Sequence, residues 1–332
     1  MPPPNSIPAP PAITMHRETF TTSDSCRISF QTSHPLGALP HGDGTQALTC
    51  ILLIHGFSGS SAYFARNLPI LSAHHWTIAP DLRGHGDSGH NPSRGGYHVA
   101  RLAADLRELL TLLRRAASDA GRSLKFVPVG CSIGAAVVWT YVELFGEEAD
   151  LAGYVFVDQA PLQDRSRFGL NGPWDERFAH KGCFDEESML AAQEAWINDP
   201  AETHRGLVRE CLGYRFCPEE GDGVGEEEKD RDEKFFTGIS ALCDGGWLAR
   251  LLADHTRYDH REAIEGITRP LLVMAARRSG CFTLEGLAET MERARKGGNQ
   301  MAEMIVFDSG HWLFYEEPER FNQELLKFAG AC

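Results

Sequence analysis

Nothing in this 332-residue chain approaches the run of roughly 20 consecutive apolar residues that a bilayer-spanning helix requires, so no membrane span is expected. Positive charge is also scarce: 32 Lys and Arg stand against 46 Asp and Glu, a formal net charge of −14. Phosphate backbones are held by clustered Lys and Arg, and this balance argues against a nucleic-acid partner. The nine cysteines include no C-x-x-C pair, and an odd number fits reduced thiols better than a disulfide framework. Cys211 and Cys217, with His204 nearby, match no zinc spacing and lack a fourth ligand, so no metal is expected. The start, Met1-Pro2-Pro3-Pro4-Asn5, carries no basic stretch followed by an apolar one. These absences together predict a soluble, cytoplasmic protein.

What is present is the composition of a globular chain, 42% hydrophobic and 23% charged, with enough apolar residues for a sizeable core. Residues 1–14 are Pro- and Ala-rich and are expected to form a flexible tail. Arg27-Ile28-Ser29-Phe30 alternates like a strand in a hairpin. Cys50 to Ile54 is continuously apolar, the mark of a parallel strand buried on both faces, and Trp76–Pro80, Leu124–Val129, Tyr154–Val157, Pro270–Ala275 and Met304–Phe307 read the same way. Leu102 to Leu113 has helical periodicity between them. Strands alternating with helices imply βαβ units, with ligand sites at the carboxyl ends of the strands.

For about a hundred residues after Asp158 no buried-strand pattern recurs, while Glu187–Trp196 and Phe236–Leu252 read as helical. The chain is therefore expected to divide into a core, 15–161 and 266–332, and an inserted helical cap, 162–265. Within the cap, Glu219–Lys234 is acidic and nearly free of apolar anchors, and is read as a solvated loop.

Gly130-Cys131-Ser132-Ile133-Gly134 falls directly between a predicted strand and a predicted helix. A G-x-S-x-G turn in that context presents its serine as a nucleophile at a sharp bend, where side chains in place of Gly130 and Gly134 would clash. Cys131 is expected to pack as a small side chain. A serine hydroxyl needs a base and a group to orient the base. His311, in Asp308-Ser309-Gly310-His311-Trp312 behind the last predicted strand, is the best base.

These features resemble the α/β-hydrolase superfamily, in its branch of esterases, lipases and cofactor-free haloperoxidase-like enzymes. The resemblance runs from about Cys50 onward and rests on His55-Gly56-Phe57, the Asp81–Gly89 segment D-L-R-G-H-G-D-S-G, the Gly130–Gly134 turn, Val157-Asp158-Gln159-Ala160-Pro161 and Ser309-Gly310-His311. It implies a mostly parallel sheet flanked by helices, and an oxyanion hole made by the amides of Phe57 and Ile133. In most relatives the acid follows the strand corresponding to Leu271–Ala275, where this chain has Ala276-Arg277-Arg278-Ser279-Gly280-Cys281 and no carboxylate. Asp158, at a second location the fold allows, is the expected acid, with Asp308 the alternative and Glu285 a third choice. Asp81, Arg83, His85 and Asp87 are expected to build a hydrogen-bonded loop rather than a metal site, and His74-His75 to lie at the surface.

The expected chemistry is hydrolysis of an ester or thioester of a moderately apolar small molecule through an acyl-enzyme on Ser132, with no cofactor. Acyl transfer to another acceptor, a haloperoxidase-like reaction and non-catalytic ligand binding on the same fold are the alternatives. A serine nucleophile argues against epoxide hydrolase and haloalkane dehalogenase chemistry, where a carboxylate forms the covalent ester. Phe168, Trp174, Phe178, Phe184, Trp196, Phe235, Phe236 and Trp247 are the candidate cap residues for a pocket wall, though most are expected to form the cap's own core.

Overall fold

Eight strands form one sheet in the order β1-β2-β4-β3-β5-β6-β7-β8 in a computed structural model that describes residues 14–41, 47–90, 95–165, 178, 180–181, 185–218 and 223–332. The strands are β1 (His16–Thr21), β2 (Arg27–Thr32), β3 (Leu48–Ile54), β4 (Trp76–Pro80), β5 (Leu124–Cys131), β6 (Tyr154–Val157), β7 (Leu271–Ala276) and β8 (Ala302–Phe307). β1 and β2 form the expected hairpin, and β2 joins β4 antiparallel. All later pairings are parallel. The expected tail lies almost wholly outside the described residues.

β3 sits between β4 and β5, and its apolar run explains why: Cys50, Leu52 and Ile54 enter one core cluster while Ile51 and Leu53 enter the other, on the opposite face. Only a strand covered on both sides can bury five successive side chains completely. Helices supply that cover: α1 (Val99–Asp119) and α2 (Ile133–Phe145) contribute to the first cluster, α8 (Pro318–Ala331) to the second, and α7 (Leu284–Lys296) packs on β7. α1 buries Leu102, Leu106, Leu109 and Leu113, one stripe at helical spacing. No described helix is long and apolar enough to cross a membrane.

Between β6 and β7 the chain forms α3 (Glu186–Asn198), α4 (Pro200–Cys211), α5 (Glu226–Ser240) and α6 (Gly245–Arg257), where the sequence predicts a helical cap. Two readings of this segment need correction. The expected solvated loop is helical from Glu226 onward, three glutamates in its first turn favouring the positive end of the helix dipole. The expected helix Phe236–Leu252 is broken after Ser240, and Asp244 restarts it by accepting a hydrogen bond from the Trp247 amide at 2.6 Å.

Register brings the site together. Ile54 pairs with Gly130, Cys131 with Val157, Val157 with Met274 and Ala276 with Phe307. The segments leaving β3, β5, β6, β7 and β8 therefore emerge along one edge, and they carry Phe57, Ser132, Asp158, Ser279 and His311.

The Asp81–Gly89 loop is the hydrogen-bonded scaffold expected of it. Asp81 accepts from the Ser61 amide at 2.7 Å, the Asp87 amide at 3.0 Å and the Arg17 guanidinium at 2.8 Å. Gly86 turns at φ +51°, and a Cβ there would meet the Asp81 carboxyl carbon at 2.6 Å. Arg83 is fully buried and grips two carboxylates, Asp24 and Asp105, with four hydrogen bonds of 2.8 Å.

Candidate active site

Ser132 stands between β5 and α2 at φ +52°, a left-handed conformation that costs a side-chain-bearing residue on the order of 1–3 kcal/mol. Its amide is held by the Val157 carbonyl at 2.9 Å. The flanking glycines make the bend possible: a Cβ on Gly130 would lie 2.5 Å from the Ala135 nitrogen, and one on Gly134 would lie 2.4 Å from the Ile54 carbonyl oxygen. Because the obstruction at Gly134 is backbone of the central strand, Gly134→Ala is expected to lower stability by about 1–3 kcal/mol. A urea midpoint equal to that of the wild type would show that the bend has slack that the geometry denies.

The turn after β3 passes directly over this serine. A Cβ on Gly56 would be 3.2 Å from Ser132 Cβ and 3.9 Å from its Oγ. Two buried histidines lock the turn. His55 Nε2 accepts from the Leu82 amide at 2.9 Å, which leaves Nδ1–H to donate to the Gly56 carbonyl at 2.8 Å. His85 Nε2 accepts from the Ser58 amide at 3.2 Å, and its Nδ1–H donates to the Arg83 carbonyl at 2.9 Å. Both roles need a neutral ring, and burial favours one: it lowers His55 and pushes His85 down to about 3. The Phe57 and Ile133 amides, on either side of the serine, donate to no protein acceptor among the described residues.

Asp158 follows β6 at φ +47° and is completely buried. Its Oδ2 meets His311 Nδ1 at 2.6 Å and accepts from the Ser279 hydroxyl at 2.7 Å, while Oδ1 accepts from the Ala276 amide at 2.9 Å. Ser279 thus occupies the place after β7 where the resemblance led one to look for a carboxylate, and it serves the carboxylate supplied by β6. Burial works against a charged His311, but the Cys281 sulfur and the Asp158 carboxylate outweigh it and hold the ring above the ordinary histidine range. Asp308 does not join this group: it is two-thirds exposed and pairs with Arg277. Glu285 is exposed in the first turn of α7. His74 is exposed and His75 half-buried, as expected of surface residues.

Ser132 and His311 line one cavity, walled by Phe57, Trp196, Leu207, Leu252, Phe282 and Trp312, with Gln163, His180, Glu210 and His255 as its polar members. A larger hollow of about 590 Å³ lies elsewhere, beside Glu143, Glu147, Asp259 and Glu262, and is lined by no serine, cysteine or histidine. Of the expected wall aromatics, Trp196 reaches the cavity, edge-on to Phe57 at 5.3 Å. Phe236 and Phe235 instead stack on Trp312 and Tyr315, and Trp247 meets His85 edge-on. Phe178 is half-buried with its backbone against Gly286, and Phe168, Trp174 and Phe184 lie outside the described residues. Cys131 is buried in the core, as expected.

Cys211 and Cys281 are buried. Unforeseen is their meeting: the two sulfurs are 3.9 Å apart, and ligand atoms of Cys211, Cys281 and His311 lie within 4.8 Å of one another. The sequence held no local signal for this, since the two cysteines are 70 residues apart.

Comparison with known proteins agrees with this architecture. The sequence model of the Alpha/beta hydrolase family matches residues 51–324. Epoxide hydrolase A of Mycobacterium tuberculosis is 25% identical over 316 residues, 86% of this chain and 91% of that protein. Two solved structures superpose closely: an esterase from Exiguobacterium antarcticum, at TM-score 0.72, 17% identity and coverage of 94% of this chain and 98% of that one, and a bromoperoxidase from Bacillus anthracis, at TM-score 0.73, 19% identity and coverage of 94% and 99%.

Proposed function

This chain belongs to the alpha/beta hydrolase family, and from that membership we propose that it is a serine hydrolase acting on an ester or thioester of a small, moderately apolar molecule. One observation carries the reading: the serine at the strained turn and a histidine held by a buried carboxylate open into the same cavity. In the proposed cycle the neutral form of His311 takes the Ser132 proton as Oγ attacks the acyl carbonyl, and Asp158 holds the imidazole in place. The amides of Phe57 and Ile133 receive the developing oxyanion. The leaving group departs with the proton from His311, and water, activated by the same ring, frees the acid.

A hydroxyl at the turn favours acyl chemistry over the epoxide opening of the mycobacterial relative, because an alcohol nucleophile yields an ester that water can cleave. Apolar walls of Trp196, Leu207, Leu252 and Phe282 favour an apolar acyl group.

A fluorophosphonate probe tests the nucleophile. The expected result is one phosphonyl adduct per chain, located at Ser132 by peptide mass spectrometry and absent from Ser132→Ala. A wild-type protein that stays unlabelled, or a Ser132→Ala variant labelled equally, overturns the reading. A panel of p-nitrophenyl esters and thioesters, with and without amine or alcohol acceptors, then separates hydrolysis from acyl transfer.

A further inference from the structure

We propose that Cys211, Cys281 and His311 form a binding site for a thiophilic divalent cation, zinc in particular, that switches the enzyme off by taking its base. The three residues come from three separate segments: Cys211 ends α4, Cys281 follows β7 and His311 follows β8. All three are buried, and all line the cavity that holds Ser132.

The spacing suits a metal. A tetrahedral zinc with Zn–S bonds of about 2.3 Å sets its two sulfurs about 3.8 Å apart, and the Cys211 and Cys281 sulfurs are 3.9 Å apart. A disulfide would require the same atoms to close to about 2.05 Å. Two sulfurs and an imidazole nitrogen make the soft donor set that zinc and cadmium prefer over magnesium or calcium.

Backbone hydrogen bonds hold the donors in place. The Gly280 amide donates to the Glu210 carbonyl at 3.0 Å, and the Trp312 amide donates to the Cys211 carbonyl at 3.2 Å. The end of α4 is thus fastened to the segments carrying both other donors, next to Cys281 on one side and next to His311 on the other. The outer shell is also present. His311 Nδ1 is engaged by Asp158 Oδ2 at 2.6 Å, which leaves Nε2 to ligate, and a carboxylate behind a ligating histidine is the usual arrangement at zinc. Among the described residues no further Cys, His or carboxylate shares that 4.8 Å cluster, so water entering from the cavity would supply the fourth donor.

Binding releases two protons to solvent: Cys211 gives up its thiol hydrogen, and the one proton that the Cys281 sulfur and His311 hold between them leaves as both atoms ligate, so that two thiolates neutralise the dication and the ring is neutral. No oxidant or reductant is involved. A nitrogen lone pair committed to the metal cannot accept the Ser132 proton. This inhibition rests on the catalytic reading of Ser132 and His311, whereas the binding site itself does not.

The test uses full-length reduced protein, handled without air after the reductant is removed. Titration with cadmium alone is expected to raise a sulfur-to-metal absorption band that saturates at one equivalent. Loss of a direct ligand should weaken binding more than loss of an outer-shell partner does, so Cys211→Ser and Cys281→Ser should each shift the midpoint by about 100-fold or more. Cys217→Ser should leave it in place. In parallel, zinc should block fluorophosphonate labelling of the wild type, and chelation should restore it. No band, or a band that survives both Cys211→Ser and Cys281→Ser, overturns the site. A band that behaves as expected while zinc leaves labelling untouched overturns the assignment of His311 as the third ligand. If the metal-free protein fails to label at all, the acyl-enzyme reading falls, and the cadmium band still decides the metal site.

Discussion

Asp158→Asn is expected to reduce kcat on a generic p-nitrophenyl ester by about 10⁴-fold, the scale seen when the orienting carboxylate of a serine triad becomes an amide. The loss has a geometric origin. His311 Nδ1 faces the fully buried Asp158 Oδ2 at 2.6 Å, so an amide that turns its NH₂ toward the ring would force the imidazole proton onto Nε2. That nitrogen could then no longer accept from Ser132. The other donors to Asp158 sharpen the case: Ser279 at 2.7 Å and the Ala276 amide at 2.9 Å fix the carboxylate plane before any substrate binds. Asp308→Asn serves as the comparison and should remain within about twofold of the wild type, since an exposed pairing with Arg277 contributes little. A large loss in Asp308→Asn with none in Asp158→Asn would reverse the assignment. Circular dichroism of both variants separates lost catalysis from lost fold.

How far the sequence carries this site depends on the distance over which each signal acts. The turn around Ser132 was legible because its causes are local: a buried strand, two glycines and a helix in ten consecutive residues. Asp158 came from the resemblance, which allows the acid a second position when the segment after β7 offers Ser279 and no carboxylate, and the structure places Asp158 against that serine. The helix Glu226–Ser240 was missed for a physical reason. One of its four buried residues is Asp232, whose carboxylate accepts from the Tyr214 and Tyr315 hydroxyls. A charged residue on the inward face erases the apolar periodicity by which a helix is recognised. The break after it was missed because Gly245 answers a tertiary demand: a Cβ there would meet the Trp196 carbonyl at 2.3 Å. The meeting of Cys211 with Cys281 is likewise tertiary, and spacing rules built for local zinc motifs pass over it.

Arg83→Met is expected to destabilise the fold by about 3–5 kcal/mol near neutral pH, because it strands two carboxylates that now share one buried cation. Arg83 has no exposed side-chain surface, and its partners Asp24 and Asp105 are 16% and 6% exposed, so solvent screens the cluster weakly. Arg101 also reaches Asp105 at 2.7 Å, but as a partly exposed group it replaces Arg83 only in part. The pH dependence gives the prediction its sign. The hydrogen bonds from Arg83 hold the Asp24 carboxyl well below the usual carboxylate range, against the opposing effect of burial. A depressed folded-state value adds stability that is fully present above the unfolded value, about 3.9, and is lost as pH falls through the folded one. The gap between wild type and Arg83→Met should therefore be widest at pH 6–7 and narrow once the pH drops below 4, as the stranded Asp24 of the variant takes up a proton that the wild-type carboxyl resists. Urea midpoints at a series of pH values measure this directly. A gap that stays constant or widens toward low pH would mean that Arg83 acts through packing of its alkyl stem and not through its charge. The cluster lies behind His85, whose Nδ1–H donates to the Arg83 carbonyl and whose Nε2 accepts the Ser58 amide beside Phe57. Loosening Arg83 should thus reach the proposed oxyanion hole as well, and fluorophosphonate labelling of the variant should slow at denaturant concentrations where it is still folded.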